Sequence, residues 1–207
     1  MTEIIKSIIS DILIALYEPF WFAVILSVLF MFVYKSYPGV KAAAEQWILW
    51  FKTDKSFRRM FLLVFYTVMI LFRTLLNRSM WANPLSDVFG NWGLFKQDGR
   101  LTTEPIENFI LFIPFIVILF WTYKNRLLGK TIRLKRTLLI SAKITVLFSF
   151  TIEMLQLLLC LGTWQLSDLF YNTLGGTVGG LIYYIMYQIK HRKNKRIKEQ
   201  KSGIEGR

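Results

Sequence analysis

The chain has 207 residues, 54% of them hydrophobic and 16% aromatic, and its mean hydropathy is positive. That is too apolar for an ordinary soluble domain, so the net charge of +13 points to a bilayer rather than to nucleic acid: the basic residues sit between apolar runs and in the tail. The single cysteine, Cys160, excludes an intramolecular disulfide and a cysteine-based zinc site.

In chain order, residues 1–19 are predicted to form an amphipathic interfacial helix. Ile4, Ile5, Ile8, Ile9, Ile12, Leu13 and Leu16 share one face, with Glu3, Lys6, Ser7, Ser10 and Asp11 opposite. At ~1.5 Å per residue the helix is too short to cross a core of ~30 Å. It lacks the basic start of a signal peptide, and Glu18-Pro19 breaks it. Apolar runs follow near 20–34, 60–76, 106–123, 137–161 and 168–188, each near spanning length. The expected fold is therefore all-α: a polytopic membrane helical bundle of about five transmembrane helices, with one domain over 20–188. Between the first two runs, 41–52 reads as a second interfacial helix. Residues 189–203 form a basic tail, and Ile204-Glu205-Gly206-Arg207 resembles a factor Xa cleavage sequence left by a fusion.

Five spans place the termini on opposite sides, and the basic residues choose which. Of 26 Lys and Arg, 20 fall in the loops 35–59 and 124–136 and in the tail. Only Lys6, Arg78, Lys96 and Arg100 fall on the other side, with Arg73 and Lys143 inside spans. Positive-inside bias predicts a multi-pass membrane protein with its N-terminus outside and its tail in the cytoplasm.

That orientation gives each intramembrane polar residue a depth. Arg73, Asn108, Glu153, Gln156, Asp168 and Asn172 all fall in the outer leaflet, contributed by four spans. Charges at such depth are costly unless paired or wetted, and Arg73 is the expected counter-charge for Glu153 or Asp168. Thr145, Ser149, Glu153, Gln156 and Cys160 form one stripe. Gly175/Gly179 and Gly176/Gly180 are pairs of small residues four apart, a spacing that lets helices approach closely. The cluster reads either as structural glue between packed helices or as the wall of an outward-facing polar pocket. Loop 77–105, with Trp81, Pro84, Phe89, Trp92 and Phe95, suits either a folded cap or a plain connector.

These residues resemble the VanZ-like family of small bacterial membrane proteins, named from a teicoplanin-resistance cluster. The resemblance covers roughly residues 60 to 184. It rests on Ile106-Glu107-Asn108-Phe109 running to Pro114-Phe115, on Glu153-Met154-Leu155-Gln156, and on Asp168-Leu169-Phe170-Tyr171-Asn172 running to Gly175-Gly176. Thr74-Leu75-Leu76-Asn77-Arg78 is similar to the family's Thr-Leu-x-x-Arg pattern. The chain departs from the family at Ile116, where many members have Gly, and at Thr163-Trp164-Gln165, which lacks an Arg often found ahead of the aspartate. The resemblance implies a role in susceptibility to lipoglycopeptide antibiotics and brings no catalytic assignment, cofactor or metal.

Three functions remain open from sequence. In the first, the protein binds membrane lipid, a cell-wall-precursor lipid or a lipoglycopeptide, with Arg73 or Arg78 on an anionic head and Asn108, Glu153, Gln156, Asp168 and Asn172 orienting it. The second is an intramembrane enzyme using Glu153 and Asp168 as acid and base. The lone His191 in the tail leaves no Ser-His-Asp hydrolase or His-ligated metalloprotease. The third is a small transporter acting as an oligomer, for which no internal repeat is visible.

Overall fold

The structure is a computed structural model that describes residues 2–34, 40–80, 82–95, 101–129 and 131–205, excepting the side chains at 2–4, 15, 40–44 and 193–205. Trp81, Lys96, Asp98, Arg100, most of the tail's basic side chains and Gly206-Arg207 thus lie outside the described residues. The chain folds as α1 (Thr2–Tyr17), α2 (Phe20–Tyr34), α3 (Val40–Thr53), α4 (Lys55–Leu71), α5 (Glu104–Leu127), α6 (Leu134–Leu159) and α7 (Leu166–Glu205), with no strand among the described residues. A π-helical turn, Phe72–Leu76, continues α4.

Three helices are long and apolar enough to cross a membrane: Lys55–Leu76, Glu104–Leu127 and Leu134–Leu159. They coincide with three of the five expected spans. Helix α2 is apolar but has 15 residues, ~22 Å of helix against a core of ~30 Å. Helix α7 is long, yet its glycines, tyrosines and Asn172 dilute its hydropathy. It also continues through the basic tail to Glu205, because no Pro or Gly interrupts residues 181–202.

Helix α1 ends where Glu18-Pro19 was expected to break it, and its two faces meet different surroundings. Ile5, Ile9, Leu13 and Leu16 are exposed, while Asp11 turns inward to accept hydrogen bonds from Ser7 (3.3 Å) and from Thr103 at the start of α5 (2.9 Å). Lipid can solvate the apolar face, whereas the polar face needs partners, and α5 supplies one. Helix α3 docks through Trp47, which packs on Phe51, Phe57 and Phe61. Asp54 then caps α4 by accepting the Ser56 N–H at 2.7 Å.

The core lies among α4, α5, α6 and α7, around Ile70, Phe112, Ile116, Phe120, Ile152 and Tyr183. Ile116, the family departure, is fully buried there. Helix α7 packs most extensively on α5 and α6. A Cβ at Gly179 would meet the Ile113 carbonyl at 2.5 Å, and one at Gly175 would overlap the Phe109 carbonyl. Gly176 and Gly180 lie against Thr145 and Ser141 of α6. Those two hydroxyls donate to carbonyls of their own helix, Ser141 to Leu138 (2.9 Å) and Thr145 to Ser141 (2.8 Å), so the seam stays small and polar-satisfied.

Loop 77–103 is pinned over the α6–α7 turn. Gly162 N–H donates to Ser79 O (3.2 Å), Trp164 N–H to Pro84 O (2.9 Å) and Leu166 N–H to Val88 O (2.9 Å). Trp92 packs on Phe170 and Tyr171. Within the described residues the loop is a folded cap.

Candidate functional site

A cavity of about 460 Å³ opens between α1, the π-helical end of α4 and α5. Its volume falls inside the roughly 300–1,000 Å³ range of small-molecule sites. Arg73, Asn77, Arg78, Glu104, Glu107 and Asn108 form its polar end. Ile12 and Leu16 of α1, Met69 of α4, and Ile110, Leu111 and Pro114 of α5 form the apolar walls. Pro114 has no N–H and so cannot bond the Ile110 carbonyl. Next to that break, Tyr66 donates to Leu111 O at 2.9 Å, holding α4 to α5 along the cavity floor.

The π-turn aims Arg73. Asn77 N–H bonds Phe72 O at 2.9 Å, an i→i+5 bond whose extra residue re-aims the side chains that follow; such turns recur at functional sites. Arg73 is hydrogen-bonded and ion-paired to Glu107, not to Glu153 or Asp168 as expected. The helix register explains this correction: Glu107 lies one turn inside α5, directly across from the π-turn, while Glu153 and Asp168 sit behind α5. Thr103 Oγ1 also lies 2.6 Å from Glu107, so its single proton is shared between Glu107 and Asp11.

Arg78 follows the helix end. Its side chain crosses Gly162, whose φ is +83° and where a Cβ would lie 3.6 Å from the guanidinium. Arg78 Nη2 is 3.8 Å from Asp168 Oδ2, close enough for Coulomb attraction and too long for a hydrogen bond. Side-chain exposure is 32% for Arg73 and 29% for Arg78, against 13% for Glu107 and 10% for Asp168. Each arginine therefore reaches into the cavity from a more buried carboxylate. Asn108 points its side chain toward Asp168, and its buried amide nitrogen reaches no partner at full hydrogen-bond geometry among the described residues.

Of the seven residues expected to meet a ligand, Arg73, Arg78 and Asn108 line the cavity. The other four stand behind it. Glu153 accepts the Gln165 backbone N–H at 3.0 Å, and Gln165 also bonds Thr163 and Asp87. The segment that departs from the family pattern thus ties the cap to α6. Gln156 donates to the Thr74 carbonyl at 2.7 Å, satisfying an acceptor within the π-turn. Asn172 donates to Ser149 at 2.8 Å. Cys160 leaves the expected stripe: it terminates α6 in the left-handed conformation (φ +54°) and is exposed.

Glu104, Glu107 and Asn77 complete the polar end, and sequence reasoning did not assign them. Glu107 had a signal, since it precedes Asn108 in the same short motif. Helix α1 as a wall had none, because its apolar periodicity suggested membrane contact alone. A second bond, Asn77 Nδ2 to Glu18 at 2.6 Å, fastens the α1–α2 junction to the same rim.

The fold and this cavity define a multi-helix integral membrane protein with a polar-headed, apolar-walled pocket at one end of the bundle. A family model described as VanZ/LLP1 matches residues 20–187, most of the chain, and the chain belongs to the VanZ/LLP1 family. No curated protein and no solved structure matches it.

Proposed function

We propose that this VanZ-like protein binds a lipidic or cell-wall-precursor-type ligand in the 460 Å³ cavity at the outer leaflet, and thereby lowers susceptibility to lipoglycopeptides such as teicoplanin. The observation that carries the reading is the polarity of the cavity. Two arginines, two glutamates and two asparagines gather at one end, and mainly apolar side chains line the rest. That division matches an amphiphile whose head is hydrogen-bonded and whose tail lies against α1, α4 and α5. Charge counting supports the outer-leaflet placement: the cavity end carries few basic residues, and the opposite end carries Arg58, Arg59, Lys124, Arg126 and Arg133.

In this reading Glu153, Gln156, Asp168 and Asn172 hold the cavity's shape and position Arg78 rather than touch the ligand. The carboxylate-pair enzyme finds less support, because neither Glu153 nor Asp168 lines the cavity. The test is susceptibility. In a sensitive bacterium, the wild-type protein should raise the teicoplanin concentration needed to inhibit growth, and Arg78→Gln should remove most of that protection at equal membrane abundance. Equal protection by both proteins would refute the proposal.

A further inference from the structure

The charges inside the cavity narrow the ligand, on the assumption that the cavity is a lipid site. Arg73 and Arg78 supply two positive charges, and Glu104 and Glu107 supply two negative ones. A site selecting an anionic head would leave its arginines unopposed; here the lining carries as many carboxylates as guanidinium groups. Arg73 and Glu107 are already committed to each other. The remaining two, Arg78 and Glu104, are not paired with each other and keep hydrogen-bonding capacity for a ligand. Arg78 makes no side-chain hydrogen bond among the described residues, with its attraction to Asp168 at 3.8 Å. Glu104, in the first turn of α5, forms no ion pair among the described residues.

One guanidinium fork whose N–H donors make no hydrogen bond, and one carboxylate without an ion-pair partner among the described residues, share the same small cavity and call for a ligand carrying both an anion and a cation. Guanidinium suits a phosphate, which it meets with two parallel N–H donors. A carboxylate suits a compact primary ammonium, which has three donors and no acceptor. We infer that the cavity selects a zwitterionic phosphate–ammonium head of the phosphoethanolamine type, carried on a phospholipid, with the phosphate on Arg78 and the ammonium on Glu104. The aliphatic walls at Leu16, Ile110 and Pro114 take the upper part of its acyl chains. A purely anionic phospholipid satisfies Arg78 and leaves Glu104 facing like charge, so it binds less well.

Native mass spectrometry of the full-length protein, released from mixed phosphatidylethanolamine and phosphatidylglycerol vesicles, tests this. Wild type should retain phosphatidylethanolamine over phosphatidylglycerol by roughly tenfold, as one charge-assisted contact warrants. Glu104→Gln should erase the preference, while Glu45→Gln, on an exposed glutamate of α3, should keep it. Arg78→Gln should weaken retention of both lipids. Equal retention of the two lipids by wild type, or an undiminished preference in Glu104→Gln, would overturn the assignment of the head while leaving a lipid site intact. Retention of neither lipid would overturn the lipid reading itself. Soluble phosphoethanolamine competing as well as the lipid would overturn the phospholipid as its source.

Discussion

Gly175→Ala is expected to destabilise the protein by about 3 kcal/mol, at the upper end of what an inserted methyl costs in a close-packed seam. The added Cβ would overlap the Phe109 carbonyl oxygen and crowd its carbon. Both are backbone atoms of α5, so no rotamer change relieves the clash; only separation of α7 from α5 does. Gly179→Ala meets the Ile113 carbonyl at 2.5 Å and should behave alike. At Gly176 the obstacle is the Thr145 side chain, so a smaller effect is expected there. Gly93→Ala is the control, since its nearest neighbour is 3.9 Å away. Thermal unfolding in detergent should rank the variants in that order. A Gly175→Ala protein as stable as Gly93→Ala would mean that α5 and α7 do not approach as described.

The second large effect is expected at the cavity rim. Arg73→Gln leaves Glu107 facing the bundle with Thr103 as its remaining hydrogen-bond donor. Breaking a fully buried pair by removing one partner costs several kcal/mol, but Arg73 is 32% exposed, so about 2 kcal/mol is the expected loss. Glu107→Gln on the same background removes the stranded charge, and the double variant should regain part of that loss. A double-mutant cycle on unfolding midpoints measures the coupling. Strictly additive effects would show that the two residues do not form a working pair.

Much of the fold follows from local pattern. The break at Pro19, the three long apolar helices and the glycine pairs of α7 are local features, and periodicity or hydropathy encodes them. The limits were equally physical. Glycine and tyrosine content makes α7 look less like a span than its length implies. The facing of α1 depends on Asp11 finding Thr103, a partner far along the chain, and helical periodicity carries no such information.

The candidate site was half legible. Cost arguments picked out Arg73, Asn108, Glu153, Gln156, Asp168 and Asn172, because polar groups inside a bilayer are conspicuous in a sequence, but they gave Glu107 no role. They could not assign partners. Arg73 goes to Glu107 because a π-turn re-aims it, and nothing in Phe72-Arg73-Thr74-Leu75-Leu76 announces that turn. Gln156 and Asn172 were grouped with the ligand residues by helical face, yet face alone does not separate a residue that lines a cavity from one that braces its wall. Their hydrogen bonds to Thr74 and Ser149 make that distinction.

The central claim is that an amphiphile occupies the space between α1, α4 and α5. Its most direct test is photo-crosslinking with a phospholipid carrying a diazirine on its acyl chain, followed by mapping of the modified peptides. Adducts concentrated on the segments containing Leu16, Met69 and Ile110–Pro114, and diminished by Arg78→Gln, are the expected result. Adducts confined to outward-facing positions such as Val33, Leu158 and Ile189 would contradict it.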